Sequence, residues 1–162
     1  MAEIDTVIED DRWEMAGLEA LAERAGRAVL GWLDMDADIC VMGCDDKRIA
    51  VLNAGFRDKS RPTNVLSWPI IEHVDHTPGA HPPRPETDEL GDIAIAYETC
   101  HREAQEQGKR FDAHVTHLLV HAILHLAGYD HLNDEDAETM EAAERSILMS
   151  LGIEDPYQER AQ

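Results

Sequence analysis

The eleven residues from His121 to His131, His-Ala-Ile-Leu-His-Leu-Ala-Gly-Tyr-Asp-His, restrict this chain more than any other stretch. His121 and His125 stand four apart, so on a helix both imidazoles project from one face, a single turn apart. Gly128 falls where such a helix must stop, because glycine accepts the left-handed conformation that closes a last turn. Beyond that break His131 can swing back toward the same point. Three neutral imidazoles with a fourth position open describe a catalytic zinc site, since a structural one is closed by a fourth protein ligand. One zinc ion per chain on His121, His125 and His131 is therefore expected. His117 and His114 extend the stripe backwards. His117 is open to two readings, a group touching substrate or supporting the ligands, and a satisfied histidine beside the core. His114 is expected on the surface.

The spacing is similar to that of the metzincin proteases, in which a glutamate follows the first histidine and serves as general base. Ala122 occupies that position here. A methyl group takes no proton, so the metal cage is expected without the peptidase.

The chain has 162 residues, 43% of them hydrophobic, which suffices for one compact domain with a true core. That domain is expected over 1–152, with 153–162 as a polar tail. No apolar run approaches the ~20 residues of a membrane span, and the opening Met-Ala-Glu-Ile-Asp has neither the basic nor the apolar region of a signal peptide. The three cysteines, Cys40, Cys44 and Cys100, read as small buried hydrophobes in a reducing compartment. A cytoplasmic protein without membrane partners is expected, with a monomer favoured.

The formal net charge of −20 counts against a general affinity for nucleic acid, which is normally met by a basic surface. An RNA site would need a local positive patch. Lys47, Arg48, Arg57, Lys59 and Arg61 supply one, with Lys59 and Arg61 as candidate substrate contacts. A bound divalent ion would add positive charge where a phosphate must sit. Acidity at 3–12 and 134–144 would restrict which RNA enters.

Hydrophobic periodicity predicts a strand over 4–9, one amphipathic helix from Glu14 to Trp32 with Met15 on its apolar stripe, and a buried strand over 37–44. Asp45 and Asp46 can cap a helix running to about Phe56, with Ile49, Leu52 and Phe56 facing inward. Residues 57–64 read as a loop and 65–70 as a strand. Residues 71–85 hold four of the seven prolines together with His73, His76 and His81, and read as an exposed excursion, a flap or an insertion. Solvated histidines fit that segment better than a second metal site does. A strand is expected at Glu89 to Tyr97, returning as in a hairpin. Helices follow over 99–107, 110–127 and 134–151, the last capped by Asn133-Asp134 and stopped by Gly152. The fold class is α+β: a small, mostly four-stranded mixed sheet packed with about five helices, the zinc-site helix central.

Three motifs together resemble the YbeY-type metal-dependent endoribonucleases. His121 to His131 is similar to that family's histidine motif. Leu52-Asn53-x-x-Phe56-Arg57 leading to Pro62-Thr63-Asn64-Val65-Leu66-Ser67-Trp68-Pro69 resembles a second, and Leu90-Gly91-Asp92-Ile93 a third. The match covers about 37–150 in order. Trp68 stands where phenylalanine is usual, Ala122 where glycine or another small residue is common, and the loop at 71–85 is longer than typical.

The resemblance implies a single-strand-preferring endoribonuclease that matures ribosomal RNA at the 3′ end of the small-subunit RNA and acts in ribosome quality control. It implies zinc on His121, His125 and His131, Arg57 as the functional arginine, and the small ribosomal subunit or its proteins as partners. Zinc lowers the pKa of bound water to about 7 and polarises phosphoryl oxygens; activation of the substrate's own ribose hydroxyl stays open beside this. Ni²⁺ or Co²⁺ would also suit the donor set. Asp92 and Asp130 are candidates for orienting water or a ligand imidazole, and Asp92 reads equally as a strand-end carboxylate. Asn53 and Thr63 can be turn and cap residues. Two other functions compete: a non-catalytic, metal-stabilised ribosome-assembly factor whose acidic surface meets a basic protein, and a metallopeptidase-like hydrolase.

Overall fold

The computed structural model describes residues 2–57, 63–71, 76–131 and 133–153, with side chains for all of these except 55–57. In chain order the elements are β1 (Ile4–Ile8), α1 (Arg12–Met15), α2 (Leu18–Leu33), β2 (Asp38–Cys44), α3 (Asp46–Arg57), β3 (Val65–Pro69), β4 (Glu89–Ala96), α4 (Tyr97–Gln107), α5 (Phe111–Leu126) and α6 (Asp134–Ser150). The strands form one mixed sheet in the order β1-β2-β4-β3. β1 and β2 run parallel, as do β2 and β4, while β3 returns antiparallel along β4. This is the α+β architecture expected, with a four-strand mixed sheet.

Strand alternation sorts side chains between the two faces of the sheet. Ile39, Val41, Ile93 and Ile95 face α2 and α5 in the larger core, while Cys44, Leu66, Ala94 and Ala96 join Ile49 of α3 in a smaller one. α2 lies over β1, and α5 over β3 and β4. The helix destined to carry two of the three histidines is thus packed against the antiparallel edge of the sheet.

The single helix expected from Glu14 to Trp32 is broken. Gly17 takes φ +76°, a left-handed conformation that ends α1 before α2 begins. The break leaves Met15 91% exposed, against its expected place on the apolar stripe, and turns Trp13 inward instead. Trp13 is fully buried and donates its indole N–H to the carbonyl of Cys44 at 2.9 Å. It also meets Tyr97 edge-on and stacks on Phe111.

Polar side chains tie the helices together at their ends. Asp45 accepts the backbone N–H of Arg48 at 2.7 Å as an N-terminal cap of α3. Asp46, the other expected cap, instead accepts the backbone N–H and hydroxyl of Thr99, joining α3 to α4. Asn53 is buried within α3 and is not a turn residue. Asn133 accepts from the Asp136 N–H at 2.8 Å and Gly152, at φ +76°, follows the end of α6, both as expected. The cysteines are free, with Cys44 and Cys100 buried and Cys40 partly so.

His114 corrects another expectation. It is buried, because Glu103 of α4 takes its Nε2 at 3.0 Å, and the same carboxylate accepts from the Asn64 amide at the start of β3. The His114 hydrogen bond, with that of Asn64, holds the Glu103 carboxyl below its ordinary range despite partial burial. A depressed carboxylate stabilises the fold above its unfolded pKa, and the gain is lost as pH falls through the folded one. Glu103→Gln should therefore lower the urea midpoint at neutral pH, with the gap to wild type closing as pH falls below the ordinary carboxylate range. A gap unchanged over that fall would show that the carboxylate charge contributes nothing.

Candidate metal centre

α5 is buried along most of its length, and its apolar residues Val115, Leu118, Leu119, Ile123 and Leu126 fix its rotation against the sheet and neighbouring helices. That rotation turns His121 and His125 to one side. The helix ends at Leu126, and Gly128 at φ +109° reverses the chain, its N–H returning to the His125 carbonyl at 3.1 Å. The reversal carries His131 back to the other two rings. Ring centroids are 4.7 Å apart for His121 and His125, 5.1 Å for His125 and His131, and 5.6 Å for His121 and His131.

One ligand nitrogen from each of these histidines lies within 4.8 Å of the others, so the trio could hold a metal ion. A tetrahedral zinc with nitrogens at 2.0–2.1 Å sets them about 3.4 Å apart, within the 4.8 Å limit inside which these three lie. The surroundings fit as well. Asp130 accepts the His131 backbone N–H at 2.7 Å and stands 3.9 Å from its Nδ1, steadying the most exposed of the three rings. The floor beneath α5 is Gly91 of β4, where the helix comes so close that Leu126 Cδ2 would be 2.9 Å from any Cβ.

The other expected site residues fall in several places. Asp92 pairs laterally with Cys40 and Trp68 and is exposed. By alternation it lies with Ala94 on the face opposite α5, so it is not brought to the three histidines. Arg57 ends α3, its side chain outside the description, and Lys59 and Arg61 lie outside the described residues. His117 is largely buried, its Nε2 3.6 Å from Glu144 Oε1.

The histidines of the long loop are partly explained by a docking that sequence reasoning did not foresee. His73 lies outside the described residues. His76 Nε2 approaches Asp136 at 3.4 Å, and the same carboxylate accepts the Gly79 N–H while Thr139 donates to the Gly79 carbonyl. His81 Nδ1 meets the hydroxyl of Tyr129 at 2.9 Å. Burial pushes the Tyr129 phenol up to about 12, so it stays protonated and can donate. The excursion is accordingly fastened across the start of α6 and the turn that carries His131.

Glu144 of α6 escaped the sequence reading altogether. It is fully buried, and its Oε1 lies 2.5 Å from His121 Nδ1. A signal was present: Met140, Ala143, Ile147 and Leu148 make the apolar row of an otherwise acidic helix, and Glu144 is the one carboxylate within that row.

A family model described as Endoribonuclease YbeY matches residues 4–152. Among curated proteins, Endoribonuclease YbeY of Paracoccus denitrificans is 68% identical over 157 residues, covering 96% of this chain and 90% of that one. Endoribonuclease YbeY of Cereibacter sphaeroides is 56% identical over 163 residues, covering 95% and 98%. The solution structure of a Thermotoga maritima protein superposes with a TM-score of 0.56 over 98% of this chain and 100% of that one. At 24% identity it supports the fold alone. No helix among the described residues is long and apolar enough to cross a membrane.

Proposed function

This chain belongs to the endoribonuclease YbeY family, and we propose from that premise that it is a zinc-dependent endoribonuclease acting on single-stranded RNA. Its work in this reading is maturation of the small-subunit ribosomal RNA at the 3′ end and ribosome quality control, in the cytoplasm. The observation that supports it most is the convergence of three imidazole nitrogens within 4.8 Å, with His131 exposed and the other two half-buried.

His121, His125 and His131 would hold the ion. When bound, it supplies Lewis-acid chemistry, acidifying water and polarising a phosphoryl oxygen. The chain's own residues then have separate tasks. Asp130 steadies His131, and the buried walls of α5 keep the histidine rings from turning away. Arg57 is assigned to the scissile phosphate, where a guanidinium fork can pair with two oxygens and offset the charge that gathers in the transition state. Lys59 and Arg61, close by in sequence, are assigned to further phosphates of the RNA. With a net charge of −20 over the whole chain, duplex RNA gains little by lying across the rest of the surface. Asp92, on the far face of the sheet, carries no step in this reading.

Elemental analysis of wild type and His125→Ala, with cleavage of a single-stranded RNA, tests the assignment. About one zinc per chain is expected in wild type, lost together with cleavage in the variant. Arg57→Glu should keep the metal and lose at least about 100-fold in cleavage. Zinc without cleavage under any condition would favour the assembly-factor reading, which the acidic surface also suits. Absence of metal from wild type would defeat the centre itself.

A further inference from the structure

We propose that Glu144 is a positioning residue of the three-histidine centre: its carboxylate holds His121 as the Nδ1–H tautomer, leaving Nε2 as the atom offered to the metal. The inference rests on the reading of that centre as a metal site, and it adds to it a residue outside the histidine motif, on a different helix.

Placement is the first argument. Glu144 has no exposed surface and sits between Met140 and Ile147 on the apolar row of α6. Burying a carboxylate costs several kcal/mol unless it is paired and hydrogen-bonded. Two imidazoles answer that need, His121 Nδ1 at 2.5 Å and His117 Nε2 at 3.6 Å, both on the same Oε1. An amphipathic helix could have placed leucine here at no such cost.

Proton placement is the second. An ionised carboxylate only accepts hydrogen bonds, so the ring atom facing it must carry the hydrogen. His121 then has its lone pair on Nε2, on the opposite edge of the ring from Glu144. The bond also fixes the rotation of the ring, while the packing of α5 fixes the side chain's root. Of the ligand trio, His131 is exposed and leans on Asp130 at 3.9 Å, a looser hold than that on His121. His121 is thereby held more firmly than His131.

Charge is the third. A carboxylate behind a ligand imidazole raises the basicity of the ring and strengthens its bond to a cation. Its negative charge offsets only part of a divalent ion, so the centre stays positive toward a phosphodiester.

A purely structural Glu144, joining α6 to α5, makes different predictions from a positioning one. The test compares wild type, Glu144→Gln and Glu144→Leu by three readouts: thermal unfolding, zinc affinity in competition with a chromophoric chelator, and ¹⁵N NMR of the histidine rings without metal. His121→Ala assigns the His121 signal. Wild type should show His121 as the Nδ1–H form. Glu144→Leu, whose side chain suits the apolar row, should remain folded, lose that tautomer and bind zinc up to about 100-fold more weakly. Glu144→Gln keeps an accepting oxygen without the charge, so about a 10-fold loss is expected with the tautomer retained.

Folded Glu144→Leu with wild-type zinc affinity would overturn the proposal, as would an Nε2–H His121 in wild type. Should Glu144→Leu fail to fold, Glu144→Gln decides: affinity equal to wild type overturns the proposal. Wild type that takes up no zinc would remove the metal reading, and the NMR measurement would still settle whether Glu144 governs the His121 proton.

Discussion

Gly91→Ala should destabilise the protein by on the order of 2–5 kcal/mol, the sum of an unfavourable backbone and an overfilled site. Gly91 holds φ +148°, a region closed to residues with a side chain. An added Cβ would be driven into the carbonyl oxygen of Trp68, across the β3–β4 pairing, and would stand 3.0 Å from Pro69 Cα. Two of those three obstacles are backbone and cannot rotate aside. The third, Leu126 Cδ2 at 2.9 Å, is the end of α5 just after His125. Any relief therefore lifts the metal-carrying helix or parts the strands. Thermal unfolding should show a midpoint about 5–15 °C lower, and the folded fraction should bind zinc more weakly. A midpoint within a degree or so of wild type would mean that β4 accommodates the methyl group, and the close approach of α5 would lose its significance.

Trp13→Ala should cost about 3–5 kcal/mol, the range for deleting a large aromatic from a filled core. The indole touches Tyr97 and Phe111 at ring-centroid distances of 5.3 and 5.7 Å, so one deletion loosens the starts of both α4 and α5. Gly43 of β2 lies beneath it, where a Cβ would come within 2.6 Å of Trp13 Cγ. Trp13→Phe should be milder, losing part of the packing and the hydrogen bond to Cys44, the bond being worth about 1 kcal/mol. Urea unfolding of the two variants separates these contributions. Equal losses would indicate that the hydrogen bond and not the ring supplies the stability.

The parts of this molecule that were legible in the sequence are those set by local rules. The helix–glycine–histidine order of 121–131 predicts its own turn, since Gly128 adopts the positive φ that the motif demands. The strands at 4–8, 38–44, 65–69 and 89–96 follow from short apolar runs between turn residues. Long-range contacts were not legible. Nothing local to His114 announces that Glu103 will bury it, because that partner arrives only when α4 folds back on α5. Gly17 could have been read as a break, but strong helix formers on both sides masked it. The prolines and histidines of 71–85 read as an exposed excursion, yet a backbone amide and carbonyl, from Gly79, do most of the docking of its described part. Such bonds leave no trace in composition.

The fastening of Gly79 to Asp136 and Thr139, and of His81 to Tyr129, has an evolutionary consequence. An insertion between two neighbouring strands of a sheet is ordinarily free to lengthen, shorten or vanish. This one is stitched at both ends of the segment that delivers the last histidine, so its length is no longer neutral. Deleting a few residues from it would pull on a turn some fifty positions downstream. Relatives that dispense with the loop would therefore be expected to have found another clasp for that turn, and a graft of their shorter loop alone would not transfer.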